Sequence, residues 1–160
     1  MSSPITKQAR IDALVDAFRV NGNLDRAFDN LAAARLGVNL TDLHCLNIIE
    51  SRGGVTAGEL ATEAGLSSGA ITGVIDRLER VGYAERERDA NDRRRVAITV
   101  TPAFYAAAAD IWGPVKHDWD TTLAAAFTGA ELDVAMAFLA ATEDVTRRHL
   151  ARLGGDTRAR

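Results

Sequence analysis

The sequence predicts a mainly α-helical protein that carries one small β-hairpin. Three observations predict it. Over most of the 160 residues the apolar positions recur at intervals of three and four, the mark of helices with one buried stripe. Between Tyr83 and Val100 that period changes to two, the mark of strands. Glycines, and Ser, Thr or Asn positions able to cap helices, divide the pattern into separate segments. Hydrophobic residues make up 47% of the chain and charged residues 26%, a balance that buries a core and excludes a disordered chain. The length fits one domain, or one compact unit with a docked helical extension.

The first helix is expected from about Thr6 to Arg35, with Ile11, Leu14, Val15, Phe18, Leu24, Phe28 and Leu31 along its apolar stripe. Gly22 weakens its middle, and Gly37 and Asn39 break the pattern. The second helix opens at Leu40-Thr41, with Thr41 as its cap and Asp42 favourably placed in its first turn. Leu43, Leu46 and Ile49, with Cys45 beside them, point inward, and Ser51-Arg52-Gly53-Gly54 ends the helix. Val55 suits a minimal strand. Thr56 and Glu59 form a capping box for the third helix, which buries Leu60, Ala61 and Ala64 and stops at Gly65. Ser67 caps the fourth helix, whose apolar positions are Ala70, Ile71, Val74, Ile75 and Leu78 and which ends near Gly82.

One strand is expected from Tyr83 to Arg88 and another from Arg95 to Val100, joined by the turn Asp89-Ala90-Asn91-Asp92. Val96, Ile98 and Val100 share one face. A fifth helix begins near Pro102, a residue suited to a first helical turn, and carries Phe104, Tyr105, Ala108, Trp112, Val115 and Trp119. Gly113-Pro114 is expected to bend or interrupt it. Thr128 or Gly129 precedes a sixth helix carrying Leu132, Ala135, Met136, Phe138, Leu139, Val145 and Leu150, and the residues after Gly154 read as a frayed tail.

Two short helices followed directly by a hairpin make a winged helix-turn-helix. The fold class is therefore mainly α with a small β-hairpin wing: a winged helix-turn-helix plus a helical dimerisation domain. The chain divides into a dimerisation helix (1–39), a winged DNA-binding domain (40–101) and C-terminal dimerisation helices (102–160). The terminal helices carry more apolar surface than a small winged domain covers, which makes Phe18, Phe28, Trp119, Phe138 and Leu139 candidates for a homodimer interface.

A helix enters the major groove only with a small or polar outer side. The fourth helix has one, because Ile71, Val74, Ile75 and Leu78 share the inner stripe and leave Ser67, Ser68, Gly69, Thr72, Gly73, Asp76 and Arg77 outside. Its two serines and helix N-terminus suit phosphates or base edges. At the hairpin tip, Asp92 is placed to brace the turn, and Arg93, Arg94 and Arg95 suit phosphates or a narrow minor groove. The formal net charge is −3, which argues against a nucleic-acid partner, but Arg77 to Arg95 holds seven arginines and five acids. That stretch is locally basic. A protein-interaction module that keeps the winged fold without binding DNA is the alternative reading.

An enzyme is not expected. The sequence has no HExxH, no glycine-rich phosphate loop and no GxSxG. His44, His117 and His149 lie far apart, and the one cysteine, Cys45, excludes an intrachain disulfide and a multi-cysteine zinc site. No catalytic residue, metal or cofactor is expected. The absence of a signal-type stretch and of a charge-free segment of spanning length points to a cytoplasmic protein with no membrane partner.

From Leu40 to Thr101 the chain resembles the multiple-antibiotic-resistance regulator (MarR) family. The resemblance is carried by Leu40-Thr41, Thr56, Glu59-Leu60-Ala61, Leu66-Ser67, Ile71-Thr72, Arg77 through Tyr83, the wing from Asp89 to Arg95, and Val100-Thr101. It implies a homodimer built from the first, fifth and sixth helices, with two recognition helices entering successive major grooves of a pseudo-palindromic double-stranded site. It further implies a repressor of transcription released by a small aromatic or phenolic ligand held between the dimer helices and the winged domain. There the second helix and the start of the fifth offer His44, Asn47, Tyr105 and Trp112. The sequence departs from the family pattern in having Ala90 where proline is frequent, Pro102-Ala103-Phe104 after the second strand, Gly69 and Gly73 in the recognition helix, and Cys45 outside the first helix.

Overall fold

The computed structural model describes residues 6–88 and 96–158, in the order α1 (Lys7–Leu36), α2 (Leu40–Arg52), α3 (Ala57–Ala64), α4 (Ser68–Arg80), β1 (Ala84–Arg88), β2 (Val96–Val100), α5 (Pro102–Ala126) and α6 (Gly129–Arg158). Helices account for most of it, with one antiparallel hairpin, as the sequence predicts. The chain divides into two compact units, residues 1–113 and 114–160.

Caps decide where the helices begin. Thr6 accepts from the Ala9 amide and starts α1, and Thr56 and Glu59 form the reciprocal capping box of α3. Ser67 accepts from the Ala70 amide and starts α4. The cap of α2 is Asn39, not Thr41: Asn39 has extended backbone and its side-chain oxygen accepts from the Asp42 amide at 2.8 Å. Asparagine is among the strongest capping residues, so the helix starts one residue before the expected threonine can serve. At Gly37, Gly53 and Gly65 the backbone turns left-handed and closes α1, α2 and α3.

Helix α1 runs unbroken through Gly22, as the expected span from Thr6 to Arg35 requires, and α5 is not interrupted at Gly113-Pro114. In these long helices the loss of one hydrogen bond or some propensity is outweighed by propagation on both sides. Helix α6 reaches Arg158 and does not fray after Gly154, for the same reason. Tyr83 belongs to the exit of α4 rather than to the first strand, because its amide donates to the Leu78 carbonyl at 2.9 Å after the left-handed Gly82. Arg95 lies outside the described residues.

The first unit holds the core. Leu43, Cys45, Leu46 and Ile49 of α2 meet Leu60 of α3, Ile71, Val74, Ile75 and Leu78 of α4, and Ile98 of β2. Phe104 closes the core from α5, with its ring edge-on to Tyr83 at 5.9 Å. Ala32, Ala33 and Leu36 bring in the last turn of α1. Val55 pairs with Ile98 through two backbone hydrogen bonds of 3.0 and 2.7 Å, which adds a third, one-residue strand to the hairpin. The register sets Arg86 opposite Ile98 and Ala84 opposite Val100.

In the second unit no described residue is buried. Helix α6 starts at a second capping box, in which Glu131 accepts from the Thr128 amide at 2.8 Å. That bond holds the Glu131 carboxyl below its ordinary pKa.

Candidate nucleic-acid interface

Helix α4 is positioned from inside by four fully enclosed side chains, Ile71, Val74, Ile75 and Leu78. Ser67, Ser68, Gly69, Ala70, Thr72 and Asp76 are exposed on its outside. Ala70 thus extends the outer face and is not one of the inward apolar positions. Thr72 donates its hydroxyl to the Ser68 carbonyl at 3.0 Å, and the Ser67 hydroxyl is used in the cap. A Cβ at Gly69 would meet nothing within 4 Å, so this first turn presents backbone and small side chains to open space. Such a surface admits close approach of a phosphate or a base edge to the free amides of the helix N-terminus.

Arg77 differs from its sequence expectation. Its guanidinium does not extend outward from α4 but forms a two-bond fork with Asp42 of α2, Nε to Oδ2 at 3.0 Å and Nη2 to Oδ1 at 2.6 Å. The Asp42 side chain is 3% exposed and that of Arg77 42%. The hydrogen bond to Asp42 raises the Arg77 pKa further above its ordinary value. Arg77 thereby fastens the recognition helix to α2. Sequence reasoning took Asp42 only as a first-turn acid, since nothing in a linear pattern pairs residues 35 apart.

A second ion pair fastens the hairpin to the same helix. Arg86 of β1 donates to Asp76 at 3.0 Å and also to Glu79. Ala84 and Arg86 share a strand face by the period of two; Ala84 is buried and Arg86 reaches the α4 carboxylates. That alternation was the available sequence signal for Arg86. The wing residues Asp92, Arg93, Arg94 and Arg95 lie outside the described residues.

The residues expected to line a ligand pocket lie on α2 and α5 of the first unit. His44 and Asn47 are exposed on α2. Tyr105 is exposed and leans on Phe104 at 6.0 Å. Trp112 packs edge-on against Phe28 of α1 at 6.1 Å. Burial, with Asp25 nearby, holds the Asp29 carboxyl of α1 above its ordinary pKa, and His44 of α2 partly opposes this. Two clefts open elsewhere, both beside α4. One, of about 440 Å³, is lined by Leu40, Thr41, Leu66, Ala70, Val74 and Arg77 among others, and the smaller, of about 220 Å³, by Asp42, Arg77 and Arg80 among others.

Of the residues expected at a dimer interface, Phe18, Trp119 and Leu139 are exposed, and Phe138 is half-buried. Phe28 is half-buried against Trp112. Cys45 is fully enclosed, and burial, with Asp42 nearby, pushes its thiol up to about 11. Such a thiol is inert at neutral pH. Among the described residues no cluster of His, Cys, Asp or Glu fits a metal ion, and no single helix is long and apolar enough to cross a membrane.

The comparisons with known proteins agree with this geometry. A sequence profile of the MarR family matches residues 38–96. The uncharacterised HTH-type transcriptional regulator YcgE of Bacillus subtilis is 37% identical over 139 residues, which cover 87% of this chain and 90% of the relative. The multiple antibiotic resistance protein MarR of Salmonella typhimurium is 33% identical over 85 residues, 53% of this chain and 58% of that protein. The crystal structure of apo wild-type MarR from E. coli superposes with a TM-score of 0.53 at 25% identity, covering 79% of this chain and 93% of that one. The chain belongs to the MarR family of winged helix-turn-helix transcriptional regulators.

Proposed function

We propose that this regulator acts as a homodimeric repressor that reads a pseudo-palindromic DNA site. The outer face of α4 carries the proposal: Ser68, Gly69, Thr72 and Gly73 form a narrow, small-residue surface on a helix held rigid by its core stripe and by the Asp42–Arg77 fork. Ser67 supports it through the cap. Ser68 and Thr72 are the residues assigned to base edges, and Arg93, Arg94 and Arg95 to phosphates or a narrow minor groove. Arg77 serves recognition indirectly, by fixing the helix that carries the readers. Exposed apolar residues on α1, Phe18 among them, and on the second unit, Trp119 and Leu139 among them, supply surface for a second copy of the chain, as a two-fold DNA reader requires.

Release by a small aromatic or phenolic compound is the remaining part of the reading. His44, Asn47 and Tyr105 offer polar and aromatic groups to solvent. A ligand there acts only if it binds the free form more tightly than the DNA-bound form. The test uses a duplex enriched by the protein from a random-sequence pool. Replacing Ser68 or Thr72 by alanine should lose discrimination at particular base pairs, about 1–3 kcal/mol for a true base contact. Arg94→Ala should weaken binding on all sequences and lower the salt slope by about one. A screen of aromatic acids and phenols for release of that duplex tests the switch, with Trp112→Ala and His44→Ala reporting where the effector sits. The overall negative charge favours one other reading, a winged protein-interaction module, and failure to enrich any duplex would select it.

A further inference from the structure

Asp76 and Glu79 pose a problem for a DNA-reading helix. At 100° per residue they fall on the same side of α4 as Ser68 and Thr72, about one to three turns further along. Asp76 is exposed and Glu79 half-buried. Two carboxylates on this stripe, within a Debye length of phosphates, would repel the duplex. Among the described residues one cation meets both, since Arg86 of β1 donates to Asp76 at 3.0 Å and to Glu79. Both acids raise the Arg86 pKa above its ordinary value, with the Asp76 hydrogen bond the largest cause.

We infer that Arg86 is a positioning residue for DNA recognition: it neutralises Asp76 and Glu79 on the reading face and fixes the base of the wing against α4. This rests on the DNA-binding reading above. Stability alone does not account for the arrangement, because the side chains of Arg86 and Asp76 are 40% and 51% exposed and exposed pairs contribute little to folding. The contribution lies instead in the angle between the two DNA-contacting elements and in the charge they present. The charge of Arg86 is already matched within the protein, so it releases no counterion from DNA.

Binding to the enriched duplex is measured across a salt series for the full chain, for Arg86→Gln, for Arg86→Lys, for Asp76→Asn with Glu79→Gln, and for all three neutral changes together. Arg86→Gln should weaken binding about tenfold, with the melting temperature nearly unchanged and the salt slope as in the parent. Arg86→Lys should recover part of the loss, since an ammonium reaches one carboxylate at a time. Once Asp76 and Glu79 are neutral, Arg86→Gln should cost little more. A salt slope lower by about one, with the same loss in both backgrounds, would overturn the inference by making Arg86 a direct phosphate contact. Unchanged affinity in Arg86→Gln would also overturn it. If the parent protein enriches no duplex at all, the DNA-binding reading fails first and the inference with it.

Discussion

Asp42 is the one buried charged residue among those described, at 2% exposure. Among the described residues its cation partner is Arg77, whose side chain is 42% exposed. The two partners should therefore respond unequally to mutation. Arg77→Met strands a carboxylate in the core. Breaking a buried pair in that way costs about 3–5 kcal/mol, and the exposure of Arg77, which admits water along the cleft beside it, lowers the expected cost to about 2–3 kcal/mol. Asp42→Ala leaves an arginine that turns to solvent, with an expected cost of about 1–2 kcal/mol. The double change should cost less than the two added together, by a coupling of about 1–2 kcal/mol. Urea unfolding followed by circular dichroism, at one fixed protomer concentration, measures all three differences. Equal single costs that add would refute the reasoning, since they would mean that the fork seen between α2 and α4 carries no interaction in solution.

Other outcomes follow from single features. Leu46→Ala removes a fully enclosed side chain at the centre of the first unit and should cost about 2–5 kcal/mol in the same urea assay. Thr56→Ala removes the capping box of α3 and should cost about 1 kcal/mol. Gly54 sits at φ 117°, and a Cβ there would come 3.1 Å from Thr99 Cγ2; Gly54→Ala should destabilise by about 1–3 kcal/mol, more than Gly58→Ala, whose surroundings are open. Cys45 should resist an alkylating reagent in the folded protein at neutral pH and react on unfolding. With its pKa raised from 9.0 to about 11, the unfolded chain ionises first, so this thiol should lower stability as pH rises from about 9 to 11. The Cys45→Ser variant should show a weaker loss over that range.

Much of the fold was legible because each element carries its own local signal. The capping box at Thr56 and Glu59, the serine cap at Ser67, and the stripe Ile71, Val74, Ile75 and Leu78 all reappear in the structure. Boundaries set by competition were less legible. Asn39 and Thr41 both suit a cap, and backbone conformation at Asn39 decides between them. Gly113-Pro114 reads as a bend or interruption and Gly154 as the start of a frayed tail, yet the helices run through both positions. The outer face of α4 was visible from periodicity, but which of its polar residues are already engaged was not. Arg77 and Arg86 look like free cations in the sequence, and only the tertiary fold brings Asp42 of α2 to the first and sets the α4 carboxylates Asp76 and Glu79 against the second.

The central claim is that two copies of this chain read one double-stranded site. It is tested most directly by enriching duplexes from a random pool and weighing the resulting complex by analytical ultracentrifugation. The account predicts an inverted repeat with half-sites about 10 base pairs apart, centre to centre, bound by two 17.1 kDa chains. A pool that stays random after repeated rounds, or a single chain bound to an unrepeated sequence, would contradict it.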